Sequence, residues 1–398
     1  MNAFTFRATT ALLTFLIGVG VATAWVLRSK EPTIQPVPLT ESSNATSVST
    51  LEMVFVLDTT GSMGGLLEGA KQRIWGIVNE VMQSESRPNV RIGLVAYRDR
   101  GDQYVTQVLP LTNDLDAVYT ALMDYRAEGG GDTEEDVRQA LLHGVRKAGW
   151  SQKSQQLSQI LFLVGDAPPH QDYQDVPDAL LTTDEATQKG MIVNTIQCGN
   201  APATRYVWQA IARRGQGQYF SIAQDGGVQT IATPYDEQLG QLSSKLGSSF
   251  IAYGGGGGEA GEVHRKEMAT RAAIAESRVA ASAPPIAKAE RALNKAVNAE
   301  AYVGDLLQNI ENGSTKLDSL KEEDLPEDLR KLSTEERKQE IEKRLAERRE
   351  LRSQIVSLSK QRAEYIATAR KKNGAKDPGF DAAVSAALKE QLKRKGTK

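Results

Sequence analysis

A doubly wound α/β domain followed by an α-helical region is the architecture this 398-residue chain predicts. Three observations carry that expectation. Apolar runs alternate with amphipathic helical patterns from residue 51 to residue 251, as in a mostly parallel sheet with helices on both faces. Five consecutive glycines, Gly254 to Gly258, then mark a boundary. Beyond them Ala, Glu, Lys and Arg dominate and aromatic residues are few.

The elements follow in order. Met53 to Leu57 is a continuous apolar run, the pattern of a strand buried on both faces. Leu67, Ala70, Ile74, Ile77, Val78 and Val81 repeat at helical spacing. Val90 to Tyr97 reads as the next strand and Tyr104 to Leu111 as its antiparallel edge neighbour. Asn113 or Asp114 can cap a helix running through Tyr125, and Val137, Ala140, Leu141 and Val145 mark another. Ile160 to Val164, Met191 to Gln197 and Gln218 to Ile222 are the remaining strands. Helices near Val176–Lys189, Thr204–Arg213 and Thr233–Ile251 separate and follow them. In the C-terminal region two narrow apolar seams stand out. One is Ala289, Leu293, Ala296, Val303, Leu307 and Ile310; the other is Ile341, Leu351, Ile355, Leu358 and Tyr365. Such seams demand a partner surface, and an antiparallel helical hairpin with a short terminal helix supplies one. Ser333-Thr334-Glu335-Glu336 has the form of an N-cap signal for the longer helix.

The N-terminus has a different character. Ala8 to Leu27 holds no charge and is long enough to span a bilayer, while Ala22-Thr23-Ala24 fits a signal-peptidase site. The expectation is a single-pass membrane protein with its domain outside the cytoplasm; the alternative is a secreted or periplasmic chain cut near Ala24. The chain is thus divided into a signal or anchor segment (1–30), a flexible Ser/Thr/Pro linker (31–50), the α/β domain (51–252), a glycine linker (253–258) and a coiled-coil-like helical region (259–398). Residues 1–258 carry 19 Lys/Arg against 26 Asp/Glu, and residues 259–398 carry 29 against 24. The basic excess is spread along helices, so it reads as a solvated face, with no nucleic acid among the partners. Self-association through the C-terminal helices is expected instead. Cys198 is the single cysteine, which excludes an internal disulfide.

The chemistry gathers where strands end. Asp58, Thr60 and Ser62 alternate just past the first strand, offering one carboxylate and two neutral hydroxyls. That set is poor for acid–base work and suited to a hard divalent cation. Gly129-Gly130-Gly131-Asp132-Thr133 opens a helix, and Gly165-Asp166 ends another buried strand. Together these segments resemble the metal-ion-dependent adhesion site of von Willebrand factor type A domains of the bacterial, membrane-tethered kind. The family pattern begins Asp-x-Ser-x-Ser, with Thr60 here at the middle hydroxyl, and adds a Thr and an Asp from later loops. The resemblance implies that Asp58, Thr60, Ser62, Thr133 and Asp166 hold Mg2+ (or Mn2+ or Ca2+). It further implies a non-catalytic adhesion or assembly module of the cell envelope, its ion accepting a carboxylate from a protein partner. Asp132 departs from the commonest family pattern and could serve as an outer acceptor.

An enzyme is the rival expectation. Asp58-Thr59-Thr60-Gly61-Ser62 also resembles the Asp-Lys-Thr-Gly-Thr loop of aspartyl-phosphate pumps and their phosphohydrolase relatives, which would make Asp58 a nucleophile. Thr59 stands where those pumps carry Lys, and Thr60 where related phosphatases need a second Asp. His170, with Asp172 nearby, reads as a loop residue, and Arg100-Gly101-Asp102 as a chance match to an adhesion tripeptide.

Overall fold

A computed structural model describes residues 49–83, 88–228, 230–298, 304–373 and 379–394. These lie in one compact unit, 41–398; a second unit, 1–40, falls outside the described residues, and with it the expected anchor, Ala8 to Leu27, and the site at Ala24. Among the described residues no helix is long and apolar enough to cross a membrane.

The α/β part contains β1 (Thr50–Asp58), α1 (Gly64–Met82), β2 (Asn89–Tyr97), β3 (Thr106–Thr112), α2 (Leu115–Asp124), α3 (Val137–Arg146), β4 (Leu157–Gly165), α4 (Ala179–Gln188), β5 (Ile192–Cys198), α5 (Pro202–Arg214), β6 (Gln216–Ile222) and α6 (Asp236–Ser248). The strands form one sheet in the order β3-β2-β1-β4-β5-β6. All neighbours are parallel except β2 and β3, so the antiparallel edge expected from Tyr104 to Leu111 is present. Asp114 caps α2 by accepting from the Ala117 amide, as its position before the apolar repeat suggested.

Side-chain alternation sorts the sheet into two cores. On one face Val54, Val56, Leu161, Leu163 and Val193 pack with residues of α3, α4 and α5. On the other, Leu51, Met53, Phe55, Phe162 and Ile196 pack with α1 and α2. β1, at the centre, is buried on both faces from Leu51 to Asp58, which explains its unbroken apolar run.

The C-terminal helices are α7 (Gly258–Ser282), α8 (Pro285–Val297), α9 (Leu306–Glu311), α10 (Glu327–Arg330), α11 (Thr334–Asn373) and α12 (Phe380–Arg394). Ser333 and Glu336 cap α11 reciprocally: the Glu336 amide donates to the Ser333 hydroxyl, and the Ser333 amide to the Glu336 carboxylate. These helices do not stand apart from the sheet as a separable hairpin. Phe380, Ala383, Val384, Ala387, Leu388 and Leu392 of α12 belong to the same core as Phe55 and Phe162. The Phe380 ring lies 6.0 Å from that of Phe55, which itself stacks on Phe162 at 5.2 Å. Gln391 of α12 exchanges hydrogen bonds with buried Asn194 of β5 (2.6 and 3.2 Å). The helix after the last strand, α6, packs its Leu239, Leu242 and Leu246 against Ala289, Ala292 and Ile355 of α8 and α11. α12 covers the sheet next to α1, whereas α6, which follows the last strand, spends its apolar stripe on other helices.

Charge ties this layer to the sheet domain. Glu290 of α8 accepts from Arg73 of α1 (3.0 Å), Arg362 of α11 (2.9 Å) and Asn79 of α1 (3.3 Å). Arg362 also donates to Asp236 of α6 (2.7 Å), and Arg73 to Asp381 of α12 (2.9 Å). Arg348 of α11 and Asp305 form a fully buried pair, Asp305 also accepting from the Ile251 amide.

Candidate metal centre at the carboxyl edge of the sheet

Strand order reverses between β1 and β4, and both strands end at the same edge. Open α/β sheets hold ligands outside such a switch point. Asp58 terminates β1 with no exposed surface, and Asp166 follows the last residue of β4, half-buried. Gly165 allows their approach: a Cβ there would collide with the Tyr97 hydroxyl and lie 3.0 Å from Asp58 Oδ2.

The backbone turns straight after Asp58. Thr60 donates to Asp58 Oδ1 from its amide (2.9 Å) and its hydroxyl (2.7 Å), fixing the carboxylate. The Thr60 and Ser62 hydroxyls are 3.4 Å apart, Thr60 buried and Ser62 exposed at the mouth. Asp58 Oδ2 is buried and has no hydrogen-bond partner. Asp166 Oδ2 accepts from Gln224 at 2.6 Å. Thus Asp58, Thr60, Ser62 and Asp166 lie together at this edge.

The third loop differs. Gly129 and Gly130 take positive φ values (83° and 84°), and the Gly61 amide donates to the Gly129 carbonyl at 3.3 Å. A Cβ at Gly130 would sit 3.5 Å from both Thr60 Cβ and Glu135 Oε1, so the loop passes close to the Thr60 side chain. Thr133 is exposed on this loop, whereas Glu135, two residues on, is buried. Its amide donates to the Pro168 carbonyl, and its own carbonyl accepts from the His170 amide, tying it to the loop after β4. Glu135 Oε2 is a second buried carboxylate oxygen with no hydrogen-bond partner. Sequence reading missed Glu135 because it lies past the resembled threonine. The one available signal was an acidic pair, Glu134-Glu135, directly before the apolar start of α3.

The electrostatics are those of a site with excess negative charge. Burial lifts Asp58 to a pKa of about 7 against the lowering hydrogen bonds from Thr60, and the Asp166 charge adds to the rise. Burial likewise lifts Glu135 to about 9, with Asp58, Asp99, Asp102 and Asp166 all repelling its anion. Arg98, on the same edge, directs its guanidinium to the carbonyls of Thr59 (3.2 Å) and Arg126 (2.7 Å).

Beside this cluster lies another. Asp99, Asp132 and His170 offer three ligand atoms within 4.8 Å of one another. Arg100-Gly101-Asp102 is bound into the same rim: Arg100 pairs with Asp136 and Asp175, and Asp102 accepts from the Gly130 amide.

A doubly wound, mostly parallel sheet with helices on both faces defines the class as an open α/β domain. The family model described as von Willebrand factor A domain matches residues 52–234, and that stretch is a VWA domain on this match. A protein described as ariadne-like RING finger, from Acanthamoeba polyphaga mimivirus, is 29% identical over 123 residues. The match takes in 30% of this chain and 11% of that protein. The crystal structure of the SpRpn10 VWA domain covers 46% of this chain and 92% of its own, at 15% identity and a TM-score of 0.34.

Proposed function

We propose that the cluster of Asp58, Thr60, Ser62, Asp166 and Glu135 binds a divalent cation of the magnesium class and, through it, an acidic group of a protein partner. The observation that carries this reading is the pair of orphaned oxygens, Asp58 Oδ2 and Glu135 Oε2, each buried and without a hydrogen-bond partner. Buried carboxylates without partners are costly, and a cation offsets that cost. The donor set fits: hard oxygens only, carboxylates at depth and hydroxyls toward the mouth. Neutral hydroxyl ligands leave the ion with positive charge at the open side, where a partner's carboxylate can complete its coordination. This is a binding device and requires no turnover. Thr133 would join only through movement of the 129–134 loop. Tethering to a membrane by the N-terminal segment, an envelope location and self-association through the C-terminal helices belong to the same proposal.

The test is thermal unfolding of the full chain with and without Mg2+. An ion that binds only the folded state at a hundred times its dissociation constant adds about 2.7 kcal/mol. Ser62→Ala and Asp58→Ala should remove that gain while leaving the metal-free fold intact. Phosphate incorporated at Asp58 from a phosphoryl donor would favour the enzyme reading instead.

A further inference from the structure

We propose that Asp99, Asp132 and His170 form a second metal site, separate from the Asp58 cluster, that takes a borderline divalent ion such as zinc. The His170 imidazole lies between two carboxylates, its Nε2 at 3.5 Å from Asp99 Oδ2 and 3.5 Å from Asp132 Oδ1. Zinc bonds of about 2.0–2.2 Å to nitrogen and oxygen set tetrahedral ligand atoms roughly 3.4 Å apart. The nitrogen therefore already stands at such an edge length from each of the two oxygens, and all three ligand atoms lie within 4.8 Å of one another. Nε2 itself is buried and has no hydrogen-bond partner. It faces both carboxylates at a separation too long for a hydrogen bond and suited to a shared ion.

The surroundings orient this set as outer groups orient metal ligands. Asp172 Oδ1 lies 2.9 Å from His170 Nδ1 and accepts its proton in a hydrogen bond, so the neutral imidazole would carry its electron pair at Nε2. The Tyr173 ring stacks on the imidazole with centroids 4.4 Å apart, and its hydroxyl reaches both oxygens of Asp99 (2.9 and 3.0 Å). Arg100 closes the far side of Tyr173, its guanidinium carbon 3.9 Å from the ring centroid. Asp99 is buried and Asp132 largely exposed, so a fourth position opens to solvent or to a partner's donor. One nitrogen and two carboxylates suit zinc better than magnesium, which prefers oxygen ligands and keeps its waters. The chemistry thus separates the two sites on one rim.

Zinc titration by calorimetry in excess Mg2+, and Co2+ titration followed by visible absorption, test the assignment on the full chain. One equivalent should bind with a tetrahedral Co2+ band. Asp132→Asn, at an exposed position that leaves the fold undisturbed, and His170→Ala should each weaken zinc by more than the outer-sphere variant Asp172→Asn, for which about 10–100-fold is expected. Ser62→Ala should leave zinc binding unchanged while abolishing the Mg2+ effect, so the two sites fail independently. Absence of zinc binding by the unaltered protein would overturn the proposal, leaving a histidine ion-paired to three aspartates. Zinc binding that survives both ligand variants, or disappears in Ser62→Ala, would overturn it equally.

Discussion

The two faces of the sheet are closed in different ways. The core facing α3, α4 and α5 is assembled from residues between Val54 and Ile211, each helix lying between strands it covers. The core facing α1 and α2 also takes Val279, Ala283, Ala287 and the apolar stripe of α12, up to Leu392. The first face is local crossover packing. The second is finished by chain that lies beyond the glycine run, so the α/β domain and the helical region share one hydrophobic core. A boundary written in composition is therefore no boundary in packing.

Removing residues 374–398 is the strongest way to break that comparison. Four large side chains, Phe380, Val384, Leu388 and Leu392, leave the core at roughly 1.5–3 kcal/mol each, comparable to the ~5–15 kcal/mol by which domains are stable. The shortened chain should lose cooperative unfolding and bind a hydrophobic dye, and a peptide of residues 380–394 added in trans should restore both. A shortened chain that melts like the intact one would show that α12 is an accessory. Phe380→Ala alone should cost about 3–5 kcal/mol in urea unfolding.

The charge network at Glu290 gives the next largest effect. Its carboxylate is shared by Arg73 and Arg362, which keep Asp381 and Asp236 as second partners, so Glu290→Ala leaves each guanidinium with one acceptor fewer and should cost about 1–3 kcal/mol. Because the pairs are shielded, the loss should persist in 1 M salt, where the Debye length is about 3 Å. A loss below about 1 kcal/mol, or one erased by salt, would mean that the network only decorates an apolar interface.

Legibility in the sequence follows the same division. Each strand and the helices between them were readable, because apolar runs and helical spacing report local burial, and Met53–Leu57 had one possible environment. The seams in α8 and α11 were readable as seams. Their partners were not: Ala289 and Ile355 meet Leu239, which no spacing within either helix can name. No apolar spacing singles out Phe380, yet its ring lies 6.0 Å from that of Phe55 in the aromatic pair at the sheet centre. The site repeats the pattern at smaller scale. Asp58, Thr60 and Ser62 are contiguous and were legible as oxygen donors, and Asp166 was found by its strand end. Glu135 and His170 are brought to the rim by loops that pair Glu135 with Pro168 and His170, a contact between distant segments.

The pH dependence of the metal-free protein sharpens the electrostatic side of this reading. Asp58 and Glu135 have folded pKa values raised to about 7 and about 9, above their ordinary values of 3.8 and 4.5. The folded state therefore holds protons that the unfolded chain has released. Their contribution is fully present below pH ~4 and is lost as pH rises through about 7 for Asp58 and about 9 for Glu135. Without Mg2+, stability should fall from pH 5 to pH 9. Saturating Mg2+ should flatten the slope by replacing the protons with a cation, and Glu135→Gln should flatten its upper half. A metal-free profile that rises over this range would contradict the buried, mutually repelling carboxylates.

The smallest expected effect separates the resembled ligand from the one the fold presents. Thr133 is exposed, whereas Glu135 Oε2 is buried without a hydrogen-bond partner near the Thr60 side chain. If the ion is held in the arrangement seen here, Thr133→Ala should change Mg2+ affinity less than threefold, under about 0.7 kcal/mol. Glu135→Gln keeps shape and burial but removes a negative charge, and should weaken Mg2+ about tenfold or more while stabilising the metal-free protein at pH 8. The opposite ranking, a large loss with Thr133→Ala and a small one with Glu135→Gln, would mean that the 129–134 loop swings inward on binding and brings the threonine hydroxyl to the ion. Calorimetric Mg2+ titration of both variants at pH 8 decides between these arrangements, since each predicts a different residue as the ligand of the second loop.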